Sequence, residues 1–346
     1  MNERKIRAGI RRDLPKKIFE RQPLRALWFI PLLAMQVAAT WAVISLDLAW
    51  YQKLVLSVIL AEGYAGMGFL AHEVLHDASV RSEKLQNFLG YIGLGPLLVS
   101  PHLWRMWHNR LHHGWTNSGD SDPDSFGTLK RYERAPYTRF VTHLAPGSGH
   151  WYSYLFLFYW FTFHGQVVLW IQTRYMRGFR GFDARRAKFD SLVLAGVLLA
   201  AAWLAGPERA LFAIAIPLAL ANFVVTSYIA TNHFLRPQWP SNNPVENSMS
   251  VRVPDWIDRL HFRFSHHVEH HLFPTMCTKF TPQLRAWLQE HVGERYICPP
   301  YGRAVAFLYK TPRVYRDPNT LCNPGDKASE RDIGAITREL VGDTTR

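Results

Sequence analysis

Long apolar segments joined by short polar connections dominate the first two thirds of the chain. Residues 27–46 carry no charged side chain, and residues 55–71, which follow closely, carry one. A second pair, residues 191–205 and 210–230, is joined by the four residues Gly-Pro-Glu-Arg. A helix that crosses the hydrocarbon core needs about 20 apolar residues, or somewhat fewer where the bilayer thins. Because the connections are this short, the pattern predicts four transmembrane helices arranged as two hairpins.

Basic residues flank these segments and predict how the chain sits in the membrane. Residues 1–25 contain nine Lys or Arg residues, and residues 174–188 contain six. Such regions stay on the cytoplasmic side, so we expect both termini to be cytoplasmic. The basic start is too long for a cleavable signal peptide, and no small-residue cleavage site follows residues 27–46. The three cysteines have unrelated spacings, which give no disulfide framework and fit a reducing compartment.

Nine of the sixteen histidines form three clusters and a singleton. They are His72 and His76; His108, His112 and His113; His267, His270 and His271; and the single His233. Residues three or four apart share a helix face, so each cluster can direct two or three imidazoles at one point. A structural zinc site uses four ligands, so nine candidates predict two metal ions. Imidazole ligands without thiolates suit zinc, copper, iron or nickel.

The second cluster lies in the amphipathic stretch 101–115. In an α-helix His108 and His112 share one face, with His113 about 100° around the axis. A set with this geometry can bridge two metal ions instead of chelating one. Interfacial histidines without a ligand role are the alternative for any cluster considered alone.

The third cluster can be aligned in two registers. His267, His270 and His271 repeat the spacing pattern, and Pro274 should end their helix. His266 stands four residues before His270, so a set beginning at His266 matches the second cluster equally well. The residues themselves leave both registers open.

The singleton His233 follows the apolar segment 210–230. A lone histidine there is ordinarily interfacial, but three clusters at the same membrane face favour a ligand role. Asn232 is a candidate ligand or holder of bound water. Asp77, Glu269 and His266 are candidates to support the ligands, because a carboxylate can accept the distal N–H of a ligating imidazole. Ordinary solvated charge is the alternative for each carboxylate.

A single site built from all clusters restricts the number of crossings. The aromatic block 151–170 is long enough to be mistaken for a fifth span. If it crossed the membrane, the third cluster would lie opposite the first two. We therefore predict that it lies in the interface or beneath a cytoplasmic cap, where Trp, Tyr and Phe are common. By the same reasoning, residues 89–99 do not cross.

The net charge of +13 has two explanations. Contact with anionic lipid head groups is one, and electrostatic attraction of an acidic electron-carrier protein is the other. Nucleic-acid binding is not expected, because the basic residues flank spans and form no groove with a fold of its own.

The clusters and their surroundings resemble the membrane fatty acid desaturase family, which belongs to the histidine-box di-iron desaturase and hydroxylase superfamily. The segment His-His-Val-Glu-His-His-Leu-Phe-Pro at 266–274 is similar to the family's third box, and Trp115-Thr116-Asn117 with Asp120, Asp122, Pro123 and Asp124 is similar to the segment after its second box. The similarity covers roughly residues 30–295. The family's register favours His267 over His266.

This resemblance implies an all-α integral membrane protein whose cytoplasmic helical cap holds two iron ions. The implied ligands are the nine histidines, with no catalytic residue beyond them, and O2 is the co-substrate. An acyl lipid or acyl-CoA would lose two hydrogens, with electrons from a separate ferredoxin or cytochrome b5 type protein. We expect a basic segment at 1–25, a desaturase domain at 26–295 and a polar cytoplasmic segment at 296–346.

Two other functions use the same features. A hydroxylase or ketolase on the same scaffold would share every ligand and differ only in adding oxygen. A membrane metal transporter or sensor would need polar residues through its spans, whereas the histidines gather at one face. Acyl carrier, chain length and double-bond position do not follow from the sequence, and residues 311–346 suggest no function.

Overall fold

The computed structural model describes residues 2–238 and 241–342. Within these residues, four helical segments are long and apolar enough to cross a membrane: Pro23–Ser45, Trp50–Leu75, Arg185–Ala205 and Pro207–His233. They coincide with the four apolar segments of the sequence. The last four residues of the expected segment 296–346, and Met1 of the segment 1–25, lie outside the described residues.

Short helices surround these segments. The α-helices of the first half are α1 (Glu3–Asp13), α2 (Phe29–Ser45), α3 (Trp50–Leu75), α4 (Glu83–Leu94), α5 (Pro101–Trp104), α6 (Leu129–Arg134), α7 (Pro136–Leu144), α8 (Trp160–Val167) and α9 (Thr173–Tyr175). Those of the second half are α10 (Arg185–Ala205), α11 (Pro207–Ala210), α12 (Ile216–His233), α13 (Pro244–Asn247), α14 (Asp255–Leu260), α15 (His267–Leu272), α16 (Thr281–His291), α17 (Tyr301–Lys310) and α18 (Ile333–Val341).

Segments of 3-10 helix and of π-helix adjoin several of these α-helices. The 3-10 turns are Lys16–Phe19, Pro23–Trp28, Gly95–Leu97, Trp151–Phe158, Arg177–Phe179, Thr278–Phe280 and Gly293–Arg295. The π-helical segments are Arg105–His112, Val168–Gln172 and Leu211–Ala215. Three antiparallel strands, β1 (Val314–Asp317), β2 (Thr320–Asn323) and β3 (Asp326–Asp332), form a sheet in the order β1-β2-β3.

Helix α3 is the centre of the fold and packs against α2, α4 and α12. Its second half is buried on nearly all sides, because small residues there let neighbouring helices approach. Gly93 of α4 shows how close this approach is: a Cβ atom at Gly93 would lie 2.3 Å from the carbonyl oxygen of Met67. The first half of α3 leaves apolar side chains such as Val55 exposed, as expected for a lipid-facing surface.

The aromatic block 151–170 is not one straight helix. The turn Trp151–Phe158 and the helix beginning at Trp160 are bent by 79°. Phe156, Trp160 and Phe161 are buried in the main core. The bend and the burial agree with a segment packed against the protein, and its position relative to a membrane stays a prediction. Helix α4, with 12 residues, is about 18 Å long and too short to cross the hydrocarbon core.

A second, smaller core joins α1 to α15 and α16. Ile6 and Ile10 of α1 pack with Val268 and Leu272 of α15. Arg7 donates to the carbonyl oxygen of Leu272, at the end of α15, where the last carbonyl groups of a helix have no intrahelical partner. The basic N-terminal helix therefore braces the helix that carries the third histidine cluster.

The C-terminal residues brace the loop that follows His233. The guanidinium of Arg313 is buried and donates to the carbonyl oxygens of Pro146, Phe234 and Leu308. The hydroxyl of Tyr315 in β1 donates to the carbonyl oxygen of Arg236 at 2.6 Å. The segment for which the sequence suggested no function thus holds the chain next to one of the predicted ligands.

Candidate metal centre

The nine predicted histidines form two groups where the ends of α3, α12, the π-helix and α15 meet. One group is His72, His76, His108, His113 and His270, and the other is His112, His233, His267 and His271. Within each group, one ring nitrogen from every member lies within 4.8 Å of all the others. All of them are buried except His113, which is half-buried. Three clusters and a singleton in the sequence therefore become two groups in space.

The distances between Nε2 atoms suit a metal ion between the rings. In the first group, Nε2 of His108 lies 2.9 Å from that of His72 and 3.1 Å from that of His113. In the second group, Nε2 of His233 lies 2.6 Å from that of His267. Two imidazole nitrogens bound at right angles to one ion, each about 2.1 Å away, are about 3.0 Å apart. The first group fits this spacing closely, and the second is slightly tighter.

A π-helix determines how the second cluster is divided. The backbone N–H of His113 donates to the carbonyl oxygen of His108 at 3.1 Å, five residues back instead of four. His108 and His113 therefore share a face and join the first group, whereas His112 joins the second. The predicted neighbourhood of His108 and His112 is also present, since their rings stack with centroids 5.0 Å apart, but the five-residue turn places His113 beside His108 in the first group. The prediction that this cluster spans both groups agrees with the structure.

The third cluster lies on α15, and α-helical spacing divides its members between the two groups. His267 and His271, one turn apart, face the second group, and His270 faces the first. His266 precedes the helix and belongs to neither group: its Nε2 lies 3.0 Å from Asp258, and its Nδ1 lies 3.4 Å from Glu269. Of the two registers that the spacing left open, the one beginning at His267 brings its rings into the groups.

Two carboxylates hold the ring of His112. Nδ1 of His112 lies 3.1 Å from both oxygens of Asp122 and 3.2 Å from Asp124. Asp124 also accepts from Trp107 at 2.7 Å and pairs with His164 at 2.9 Å. A proton held on Nδ1 leaves the Nε2 lone pair available to a metal ion. The role of Asp122, Asp124 and His164 was missed, although the Asp-Pro-Asp sequence after the second cluster was a signal.

Electrostatics separate His112 from the other rings. Burial lowers the pKa of His76, His108 and His113 well below its ordinary value, and the neighbouring imidazoles lower it further. Burial lowers the pKa of His270 to about 3. Burial also opposes the charge on His112, but Asp122 and then Asp124 outweigh it and raise its pKa to about 9. Most of the rings are thus neutral at pH 7, the form that binds metal.

The predicted supporting residues have varied surroundings. Asp77 adopts a left-handed conformation with φ of 64° and bonds Gln86, so it supports no imidazole directly. Glu269 is buried on α15 but accepts from Ser250 and Tyr296, each at 2.5 Å, and pairs with Arg285. Glu269 therefore anchors the helix, whereas the carboxylates that contact a clustered ring directly are Asp122 and Asp124.

Several buried polar atoms fit a metal centre because nothing in the protein pairs with them. Among the described residues, Nε2 of His76, Nε2 of His271 and both amide atoms of Asn232 are buried without a hydrogen-bond partner. Buried polar groups are normally paired, and leaving one unpaired costs about 1–3 kcal/mol. A metal ion or its bound water would satisfy the two imidazoles, and Asn232 directly precedes His233.

An apolar cavity adjoins both groups and encloses about 570 Å³, including the space at its opening. It is lined by rings of Trp104, Trp107, Trp160, Phe161, Phe234 and Phe264, by Thr226, Ile229, Asp124 and His164, and by the clustered His108, His112, His233 and His267. A mostly apolar cavity with a few convergent polar groups is typical of a small-molecule site. An apolar ligand in this cavity would lie directly against the imidazoles.

Glu62, the single charge in the second apolar segment, has partners of its own. Its carboxylate lies 2.9 Å from Nε2 of His261, whose Nδ1 lies 2.9 Å from the hydroxyl of Tyr228. Phe264 lies between this network and the two imidazole groups, since its ring contacts both Tyr228 and His72. The network satisfies an acidic side chain that would otherwise be costly in a membrane helix.

Comparisons with known proteins agree with this site. A family model described as fatty acid desaturase matches residues 48–302, which include all nine clustered histidines. The sn-1 oleoyl-lipid 12-desaturase of Picosynechococcus sp. is 24% identical over 300 residues, 81% of each chain. The Delta(6)-fatty-acid desaturase of Caenorhabditis elegans is 23% identical over 279 residues, 70% of this chain and 60% of that protein.

A third relative matches a shorter stretch. The sn-1 acyl-lipid omega-3 desaturase (ferredoxin) of Synechocystis sp. is 26% identical over 113 residues, 33% of this chain and 31% of that protein. The family model covers well over half of the sequence, and the residues it covers include those that build the two imidazole groups and the cavity. The chain therefore belongs to the fatty acid desaturase family and is an oxidoreductase of that family.

Proposed function

We propose that the protein is an oxygen-dependent di-iron desaturase that introduces a double bond into a fatty acyl chain. The observation that carries this proposal is the apolar cavity lying directly against two groups of buried imidazoles. The group of five histidines would hold one iron ion, and the group of four would hold the other. Imidazole-rich ligand sets are compatible with iron, and the family match favours iron over other metals.

The chemistry of the substrate explains why a metal pair is needed. An unactivated methylene has no acidic proton and no electrophilic centre, so general acid and base side chains cannot act on it. Two iron ions with O2 would supply the power to remove hydrogen from such a carbon. The cavity walls, including Trp104 and Phe161, would hold one carbon pair near the imidazoles and keep water away.

Other residues would keep the ligands in place. Asp122 and Asp124 fix the tautomer and the orientation of His112. The hydroxyl of Thr116 lies 3.3 Å from Nδ1 of His271 and donates to the carbonyl oxygen of His112, so it links two ligands of one group. Asn232, buried and unpaired, would bind a metal ion or its water beside His233.

The membrane arrangement follows from the same proposal. The four apolar helices would cross as two hairpins, with the metal centre, the basic segment 1–25 and the segment 296–346 on the cytoplasmic side of a desaturase domain at 26–295. The substrate would be an acyl lipid or an acyl-CoA. Electrons would come from a separate redox protein of the ferredoxin or cytochrome b5 type, in keeping with the name of the Synechocystis relative.

The test combines iron analysis with lipid analysis. Purified protein should contain about two iron ions per chain, and lipids of an expressing host should gain an alkene with no added oxygen. The variant His271→Ala should abolish the product, whereas His291→Ala, outside both groups, should not. A hydroxyl or keto product would favour the hydroxylase alternative, and unchanged lipids with the native sequence would overturn the proposal.

A further inference from the structure

A second pocket, distinct from the cavity at the imidazoles, lies where the start of the first apolar helical segment meets the residues after α14. It encloses about 960 Å³, including its open mouth. The lining residues are Arg25, Trp28, Leu32, Arg259, Leu260, Phe262, Arg263 and Lys279. We call this the basic pocket, because four of its eight lining residues carry a positive charge and none carries a negative charge.

Two aspartates form ion pairs with two of the arginines that line the basic pocket. Arg259 and Arg263 each lie 2.7 Å from Asp255, and Arg263 lies 2.9 Å from Asp258. Lys279 donates to the side chain of Gln22, and no carboxylate pairs with it among the described residues. The pocket thus presents preorganised guanidinium groups and a lysine ammonium, which together bind phosphate well.

Arg25 and two aromatic rings, those of Trp28 and Phe262, form another part of the pocket lining. The guanidinium of Arg25 lies 4.7 Å from the ring centre of Phe262, and its Nε lies 3.4 Å from the buried carboxylate of Glu73. The rings of Trp28 and Phe262 meet edge to face at 6.3 Å. An apolar floor under charged groups suits an amphiphile better than an inorganic ion.

Exposed apolar side chains line the pocket or lie within one helical turn of a lining residue along the chain. Leu24, Trp28 and Trp256 are 78%, 54% and 69% exposed, and Leu260 is partly exposed. Trp28 lies near the beginning of the segment Pro23–Ser45, one of the four that can cross a membrane. Tryptophan beside arginine is typical of the head-group zone. With Pro23–Ser45 crossing a membrane, the pocket would lie at the level of the lipid phosphates.

The backbone between the basic pocket and the metal centre is strained. Phe262 and Arg263 are consecutive residues with φ of 52° and 63°, a conformation that bulky side chains rarely adopt. The N–H of Arg263 donates to the carbonyl oxygen of Asp258 at 2.7 Å, which closes this turn. Such conformations persist where the surrounding structure imposes them, and they are often found at ligand sites.

The same turn leads directly to the metal centre. Phe262 lines the basic pocket, and Phe264, two residues later, lines the apolar cavity and contacts the ring of His72 at 5.3 Å. His267 follows three residues after Phe264 and belongs to the second imidazole group. A ligand in the basic pocket thus contacts the segment that shapes the cavity.

We propose that the basic pocket binds the phosphate of a membrane phospholipid, and that this lipid carries the acyl chain to be desaturated. This inference rests on the proposed function and names its substrate class. A head group without phosphate offers no anion to Lys279 or to the exposed guanidinium of Arg259. Acyl-CoA also carries phosphate, but it reaches a protein from water, whereas the apolar side chains in and beside the pocket would lie at the head-group level.

The affinities of the purified full-length protein for different probes distinguish a phospholipid from acyl-CoA and from free phosphate. The probes are dioctanoyl phosphatidylglycerol, dioctanoylglycerol without phosphate, coenzyme A and inorganic phosphate, with affinities measured by native mass spectrometry. The variant Arg259→Gln with Lys279→Gln removes two exposed cations of the pocket. The matched control is Arg185→Gln with Lys310→Gln, since Arg185 also pairs with one aspartate and Lys310 also lies over a phenylalanine ring.

The pocket variant should bind dioctanoyl phosphatidylglycerol about thirtyfold more weakly, whereas the control should match the native protein. Dioctanoylglycerol should bind weakly to all three. Equal affinity of the pocket variant and the control for phosphatidylglycerol would overturn the inference, as would coenzyme A or inorganic phosphate binding as tightly as the lipid.

A second readout separates this inference from the proposed function. Iron content should be the same in the pocket variant, the control and the native protein, whereas alkene in host phospholipids should fall only in the pocket variant. Native protein without iron or alkene would refute the proposed function. Alkene formed equally by the native protein and the pocket variant would refute the phospholipid substrate alone.

Discussion

Nδ1 of His112 lies 3.1 Å from each carboxylate oxygen of Asp122. The contact is buried on both sides, with 2% of each side chain exposed. Because Asp122 holds Nδ1, Nε2 of His112 is the nitrogen that can bind a metal ion. Asp122 lies in a loop, ten residues after His112 in the sequence. The Asp122 side chain also accepts from the backbone N–H of Asn117 at 2.7 Å, so the carboxylate itself is fixed.

The variant Asp122→Asn should weaken metal retention and activity by about 10- to 100-fold, because the ring of His112 loses the charge that orients it. Iron per chain after purification and alkene in host lipids measure the two effects. Asp190→Asn is the matched control, since Asp190 also accepts two side-chain hydrogen bonds, from Tyr91 and Ser100, but away from the imidazoles. Equal iron in both variants would contradict the assigned role of Asp122.

His266 and His267 should respond differently to substitution. His267→Ala removes a member of the second group and should lower iron content strongly. His266→Ala removes a ring that pairs with Asp258 and Glu269, so it should lower the unfolding temperature while leaving iron bound. Iron analysis and thermal unfolding of both variants are the measurements. Equal iron loss in the two would mean that the register beginning at His267 is wrong.

Replacing Ile229 should affect the cavity without affecting the metal ligands. Ile229 lines the apolar cavity on α12, one turn before His233. Ile229→Trp would fill space that an acyl chain needs, so we expect at least about a tenfold loss of product with unchanged iron. Leu220→Phe, on the same helix outside the cavity lining, is the control. Full activity of Ile229→Trp would exclude the cavity as the acyl site.

Removal of the buried Arg313 guanidinium should destabilise the whole protein. Arg313→Met leaves the carbonyl oxygens of Pro146, Phe234 and Leu308 without their donor, which should cost about 3 kcal/mol in the free energy of unfolding. Arg316→Met, three residues further along the chain and half-exposed, should change it little. Thermal or denaturant unfolding in detergent gives the comparison. A small effect at both positions would argue against bracing by Arg313.

The sequence predicted the four apolar helices and the clustering of the histidines, for physical reasons. Crossing a membrane demands long uncharged segments, and these are visible without a structure. Histidines one turn apart on a helix share a face, so the pairing of His72 with His76 and of His267 with His271 could be anticipated. These features depend on local sequence alone.

Other features depend on tertiary packing and were not predictable. The π-helix at Arg105–His112 follows no local rule, and it places His113 in the same group as His108. Asp122 and Asp124 lie in a loop, where sequence spacing gives no direction for a side chain. The strands β1 and β2 have only four residues each, too few for an alternating pattern to be recognised.

The burial of Arg313 and Tyr315 against the loop after His233 also sets an order of events during synthesis. The ligands span 200 positions, from His72 to His271, and the residues that fix the His233 loop emerge from the ribosome more than forty positions later still. Helices insert as they are made, whereas contacts between distant segments wait for the later one. Under the proposed function, iron would therefore enter a nearly finished chain already held in the bilayer, and metal supply would be a step of maturation after membrane insertion.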